Sequence, residues 1–143
     1  MILYLDTSAF LKLYLEEAES ARVRQLVAET TAATTHLVTY AEMRASFAQA
    51  VRMKRMPATD LAYQVRSFES DWLTMSLIGV DEAMVRRAGE LAERFGLRGY
   101  DSVHLAAAAR AFEATGRPDM FVFAAYDKNL CASAEAIGLS CLN

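Results

Sequence analysis

Four acids occupy positions where they could share one piece of chemistry. Asp6 directly follows the apolar run 2–5 (ILYL), and Asp127 directly follows 120–126 (MFVFAAY). Glu42 comes just after segment 33–38 (ATTHLV), and Asp101 opens an apolar helical stretch behind Gly99 and Tyr100. If such carboxylates converge they repel, since two unit charges ~4 Å apart cost about 4 kcal/mol at an effective dielectric of 20. A hard cation relieves that repulsion, and oxygen donors without Cys or His suit Mg²⁺ or Mn²⁺. A centre of this kind lowers the pKa of bound water and neutralises phosphoryl oxygens, which is the chemistry of phosphodiester hydrolysis. It needs no side-chain nucleophile. The chain has neither a GxSxG elbow nor a P-loop, and no convincing Ser/His/Asp set.

Each acid also has a local explanation. Asp6, Asp101 and Asp127 fit helix N-caps, and Thr39-Tyr40-Ala41-Glu42 matches the capping-box pattern. Ser8 is a candidate donor orienting Asp6, whereas Thr7 reads as a first-turn helix residue. His104, three residues after Asp101, and His36 read as packed, hydrogen-bonded histidines, with proton carriage as the alternative for His104. Lys12, Arg44 and Lys128 are candidate phosphate contacts, and Arg44 belongs to a basic stretch with Arg52, Lys54 and Arg55. Ordinary solvated helix ends explain that stretch equally well. Tyr63, Phe68 and Trp72 read as core at their helical spacing, although aromatic rings also stack on bases.

These residues need a frame. Short apolar or β-branched runs at 2–5, 33–38, 75–80 and 120–125 read as strands, with 139–142 as a possible edge strand. Helices are expected from Thr7 to Tyr14, Ala18 to Ala28, Tyr40 to Met53, Leu61 to Trp72, Met84 to Phe95 (stopped by Gly96) and Tyr100 to Ala114, with a short one after Asp127. Alternation of strands and helices implies a parallel sheet covered by helices on both faces. In such a sheet, ligands bind outside the carboxyl ends of the strands, where the four acids lie.

The bulk numbers agree. The 143 residues fit one domain, and 54% hydrophobic content supplies a core without structural metals or disulfides. The start MILYLDTSAF has no basic leader, and no apolar stretch is long enough to span a bilayer, so the chain reads as cytoplasmic. Cys131 and Cys141 form no CxxC pair and are expected to be free, small apolar residues in a reducing compartment. A net charge of −3 argues against gripping nucleic acid over the whole surface, but not against a nuclease whose acids hold metal.

The segments DTSAFLKLYLEE (6–17), TYAEMRASF (39–47), LRGYDSVHLAAA (97–108) and FVFAAYDKNL (121–130) resemble the PIN-domain nucleases, and within them the VapC-type toxins of bacterial toxin–antitoxin pairs. The likeness spans nearly the whole chain, in order. It implies a single three-layer α/β/α domain over 1–143 with a central parallel sheet of four to five strands. It further implies a Mg²⁺- or Mn²⁺-dependent endoribonuclease with Asp6, Glu42, Asp101 and Asp127 as metal-binding catalytic acids and Ser8 in support. An RNA substrate, a cognate antitoxin and a homodimer are the partners it implies. In one departure, Ala125 stands where the family often has a hydroxyl residue two positions before the fourth acid. An aspartyl phosphatase would want an acid at position 8, where Ser8 stands, and the acidic pair of a receiver domain is not evident. The remaining alternative is a PIN-like binding module for RNA or protein without catalysis.

Overall fold

The computed structural model describes residues 1–142. Five strands, β1 (Ile2–Leu5), β2 (Ala32–His36), β3 (Ser76–Ile78), β4 (Phe121–Ala124) and β5 (Ser140–Leu142), form one sheet in the order β3-β2-β1-β4-β5. Every pairing is parallel. Among the described residues seven α-helices surround it: α1 (Thr7–Leu11), α2 (Ser20–Glu29), α3 (Thr39–Arg52), α4 (Leu61–Trp72), α5 (Glu82–Phe95), α6 (Gly99–Thr115) and α7 (Lys128–Ala136). The fold is the three-layer α/β/α sandwich expected from the alternation of elements.

β1 is central because both its faces are apolar, and side chains alternate across a strand. Leu3 and Leu5 point into a core with Phe10, Met43, Phe47 and Phe68, under α1 to α4. Tyr4 points the other way, into a core with Phe123, Leu105, Leu130 and Met84, under α5 to α7. The buried alanines Ala106–Ala109 explain how α6 lies close against this second face: their side chains are too small to hold it off. The edge strands β3 and β5 have three residues each, which limits the unpaired backbone they offer to other chains.

Two expectations are corrected. α1 ends at Leu11 rather than Tyr14, because the amides of Lys12, Leu13 and Tyr14 bond back three residues, to Ala9, Phe10 and Leu11, and tighten the chain out of the α-helix. Cys131 and Cys141 are not free: they form a disulfide with their Cα atoms 5.6 Å apart. The chain turns back after α7 through Gly138, whose φ of 92° favours glycine, and β5 then pairs with β4 beside the helix it has just left. That return brings together two residues ten apart in sequence.

Candidate active site

All five strands point the same way, so their carboxyl ends share one edge of the sheet. The strand order reverses between β1 and β4, and that neighbouring pair opens a crevice at the edge. Asp6 leaves β1 and Tyr126-Asp127 leave β4 at this point. The N-termini of α3 and α6 bring Glu42 and Asp101 to the same rim.

Asp6 is the most enclosed of the four, at 4% exposure. Its carboxylate caps α1 by accepting the Ala9 N–H at 2.8 Å, and Ser8 Oγ lies 2.7 and 2.9 Å from its two oxygens. Ser8 Oγ in turn accepts the Tyr126 N–H at 3.1 Å, tying the ends of β1 and β4 together. Burial pushes the Asp6 pKa above the ordinary aspartate range, against the pull of His104, the Ala9 amide and Ser8, and the charge of Asp101 adds to the rise. Burial therefore penalises the charged form of Asp6, and a cation at the site would favour it.

Glu42 does not close a capping box. Thr39 hydrogen-bonds Thr35 instead, and the Glu42 carboxylate reaches across the crevice to Thr7 Oγ1 (2.8 Å) and His104 Nε2 (2.7 Å). Burial would raise its pKa, but the His104 and Thr7 donors outweigh burial and hold it below the usual glutamate range. Asp101 is no cap either: α6 begins at Gly99, and the Asp101 carboxylate accepts from Arg98 Nε at 2.9 Å. Asp127 does cap its helix, accepting the Leu130 N–H at 2.8 Å. Its charge, with that of Asp101, helps to hold Arg98 protonated.

The side chains thus share a rim without forming a closed ligand set. Among the described residues, no three His, Cys, Asp or Glu side chains are gathered tightly enough to enclose an ion. This corrects the expectation that all four acids converge directly, and the reason is local: each carboxylate is held by its own helix amide, hydroxyl, imidazole or guanidinium. The donor chemistry nevertheless fits a hard divalent cation. All four donors are carboxylates, Asp6 is buried with its pKa raised, and Asp101 is near enough to repel it. A groove of about 760 Å³ opens on this rim, with Glu42, Arg98 and Asp101 at its polar end and Val85, Ala88 and Val103 along its walls.

The candidate phosphate contacts fare unequally. Lys12 is nearly buried, pairs with Glu17 at 3.0 Å and lies 4.5 Å over the Tyr126 ring, so its charge is already engaged. Arg44 donates to Tyr40 Oη and stands 3.6 Å from Glu69. Lys128 is exposed at the start of α7. Thr7 and Arg98 are the residues the sequence reading undervalued. Thr7 looked like a plain helix residue, and its contact with Glu42 joins positions 35 apart, which no local pattern reveals. Arg98 stands in the segment LRGYDSVHLAAA, and its place three residues before Asp101 is the one local signal of their pairing.

The PIN domain family model matches residues 3–136. The chain is 34% identical over 137 residues to Ribonuclease VapC45 of Mycobacterium tuberculosis (strain CDC 1551 / Oshkosh), covering 96% of this chain and 92% of the relative. Ribonuclease VapC49 of M. tuberculosis (strain ATCC 25618 / H37Rv) matches with the same identity and coverage. The structure is similar to FitAcB from Neisseria gonorrhoeae, with a TM-score of 0.68 at 18% identity over 100% of this chain and 97% of the other. A chain of a toxin–antitoxin complex from Klebsiella pneumoniae gives 0.67 at 16% identity, over 99% and 96%. At those identities the solved structures speak for the fold, while the family match and the curated relatives, which cover almost the entire chain, establish that this protein belongs to the PIN-domain family, in its VapC type.

Proposed function

We propose that this protein is an endoribonuclease that hydrolyses RNA phosphodiester bonds with Mg²⁺ or Mn²⁺ and acts as the toxin of a toxin–antitoxin pair. The observation that carries this reading is the buried Asp6 carboxyl at the end of β1, close enough to Asp101 for their charges to repel, in a chain about a third identical to VapC ribonucleases over nearly its full length. Asp6, Glu42 and Asp101 are the candidate metal ligands, with Asp127 completing the rim. A divalent cation held there supplies neutralisation of phosphoryl charge and a more acidic water.

The protein's own residues do the rest. Ser8 holds the Asp6 carboxylate in one orientation and locks it to the end of β4. His104 and Thr7 hold Glu42 at the groove wall. Arg98 balances Asp101, and with the exposed Lys128 it offers positive charge to a phosphodiester backbone on a rim that is otherwise acidic. The groove between α5 and α6, apolar along its walls and acidic at its end, suits an amphipathic antitoxin segment carrying a basic residue. A homodimer is the expected assembly.

The test is cleavage of a mixed RNA pool with and without Mn²⁺, using wild type, Asp6→Asn and Asp101→Asn. Metal-dependent cleavage lost in both variants, with circular dichroism unchanged, is the expected outcome. Cleavage that survives EDTA overturns the metal mechanism, and no cleavage under any condition favours a binding module.

A further inference from the structure

His104 lies one turn beyond Asp101 on α6 and is 2% exposed, yet the packing of α6 against the sheet does not require its polarity. Both of its ring nitrogens have partners. Nε2 is 2.7 Å from Glu42 Oε1, and Nδ1 is 2.9 Å from Tyr4 Oη. A carboxylate only accepts, so Nε2 carries a proton and donates. In the neutral ring Nδ1 is then the bare nitrogen, and the Tyr4 O–H, which is buried on β1, donates to it. Tyr4 thus fixes both the tautomer and the plane of the imidazole. Thr7 Oγ1 donates to the same Glu42 oxygen at 2.8 Å, which leaves Glu42 Oε2 without a hydrogen bond among the described residues. Glu42 lines the groove that holds Asp101.

We propose that His104, oriented by Tyr4, is a positioning residue that holds Glu42 Oε1 so that Oε2 is presented to the catalytic rim. The device joins β1, α1, α3 and α6, so the strand that carries Asp6 also sets the aim of Glu42. It rests on the reading of Glu42 as a metal ligand. A purely packing role for His104 would require only its shape; the relay requires a donor at Nε2.

The test is Mn²⁺ binding by the full chain, followed by the electron paramagnetic resonance signal of the free ion, in wild type, His104→Ala, His104→Gln and Tyr4→Phe. Loss of an outer partner of a metal ligand typically weakens affinity about 10- to 100-fold. His104→Ala is expected to fall in that range. His104→Gln, which keeps an N–H near the Nε2 position, is expected to recover most of the loss. In Tyr4→Phe, nitrogen-15 spectra of the imidazole should show the fixed tautomer giving way to a mixture, with an intermediate loss of affinity. If wild type binds Mn²⁺ and His104→Ala matches it, the positioning role is refuted while the site stands, and Tyr4→Phe matching wild type in both affinity and tautomer refutes the part given to Tyr4. Equal losses in His104→Ala and His104→Gln refute it too, because shape rather than the donor would then be what matters. If wild type does not bind Mn²⁺, the proposal falls together with the reading it rests on.

Discussion

Replacing Ser8 with alanine tests how the site is held together. Ser8 Oγ gives its one proton to Asp6, at 2.7 and 2.9 Å from the two carboxylate oxygens, and accepts the Tyr126 N–H at 3.1 Å. Alanine removes a hydrogen bond to a buried charge, worth about 1.5–3 kcal/mol, and orphans a backbone amide, which costs about 1–3 kcal/mol. Water entering the small space left by the hydroxyl offsets part of this, so the net loss is expected near 3 kcal/mol in urea denaturation at a pH where Asp6 is ionised in both proteins. The corresponding drop in Tm is roughly 10 °C for a chain of this size. The loss also has a pH signature. Asp6 already has a raised pKa from burial, and without Ser8 it rises further. The charged form is then held less well in the variant, so this part of the gap is full above the variant's folded pKa, the higher of the two. It narrows as pH falls from there to the wild-type folded pKa, below which the carboxyl is neutral in both. A loss below about 0.5 kcal/mol, or a gap that stays constant as pH falls, would refute the claim that Ser8 works by holding a charged Asp6.

Phe68 is fully buried and makes ring contacts with Phe10, Tyr14, Tyr40, Phe47 and Trp72, so Phe68→Ala should destabilise the fold by about 3–5 kcal/mol in chemical denaturation. A loss under ~1 kcal/mol would mean that this side of the sheet repacks freely. His36 is 1% exposed and accepts the Val38 N–H at Nδ1, leaving its Nε2 proton without a partner. Burial, aided by the neighbouring His104 and Arg110, pushes its pKa from 6.5 down to about 4 against the pull of Glu42. The folded state therefore resists protonation that the unfolded chain accepts, and up to about 3 kcal/mol of stability is lost as pH falls from 6.5 towards 4. His36→Asn, which keeps an acceptor for Val38, should flatten the stability curve in that window, and an unchanged slope would count against the assignment. Arg98→Gln removes the guanidinium from Asp101 and should tighten Mn²⁺ binding a few-fold by calorimetry; weaker or unchanged binding would show that the ion pair does not compete with metal.

Much of the frame was legible because its signals are local. The run ILYL is apolar on consecutive residues, as a strand covered on both faces must be, and it forms β1 at the centre of the sheet. Helical spacing located α3, α4 and α5 within a few residues, and Gly96 marks the end of α5 with its left-handed backbone. The positions of Asp6, Glu42, Asp101 and Asp127 at the carboxyl ends of strands or the first turns of the following helices followed from the same pattern. What each acid does there was not legible, because a cap and a ligand look alike in one dimension. Asp127 bonds its own helix, whereas Glu42, in a perfect capping-box sequence, ignores its helix and crosses the crevice.

Tertiary structure alone made three decisions. It placed Thr7, Glu42 and His104 in one hydrogen-bonded group, from positions separated by as many as 97 residues. It turned β5 back beside α7, so that two cysteines expected to be free are bonded to each other. It gave Lys12 to Glu17 and Tyr126 rather than to solvent. The sequence could state which groups stand at the ends of its elements, since backbone periodicity and turn chemistry act over a few residues. Which of those groups meet is fixed by how the elements pack, and that depends on burial shared across the whole chain.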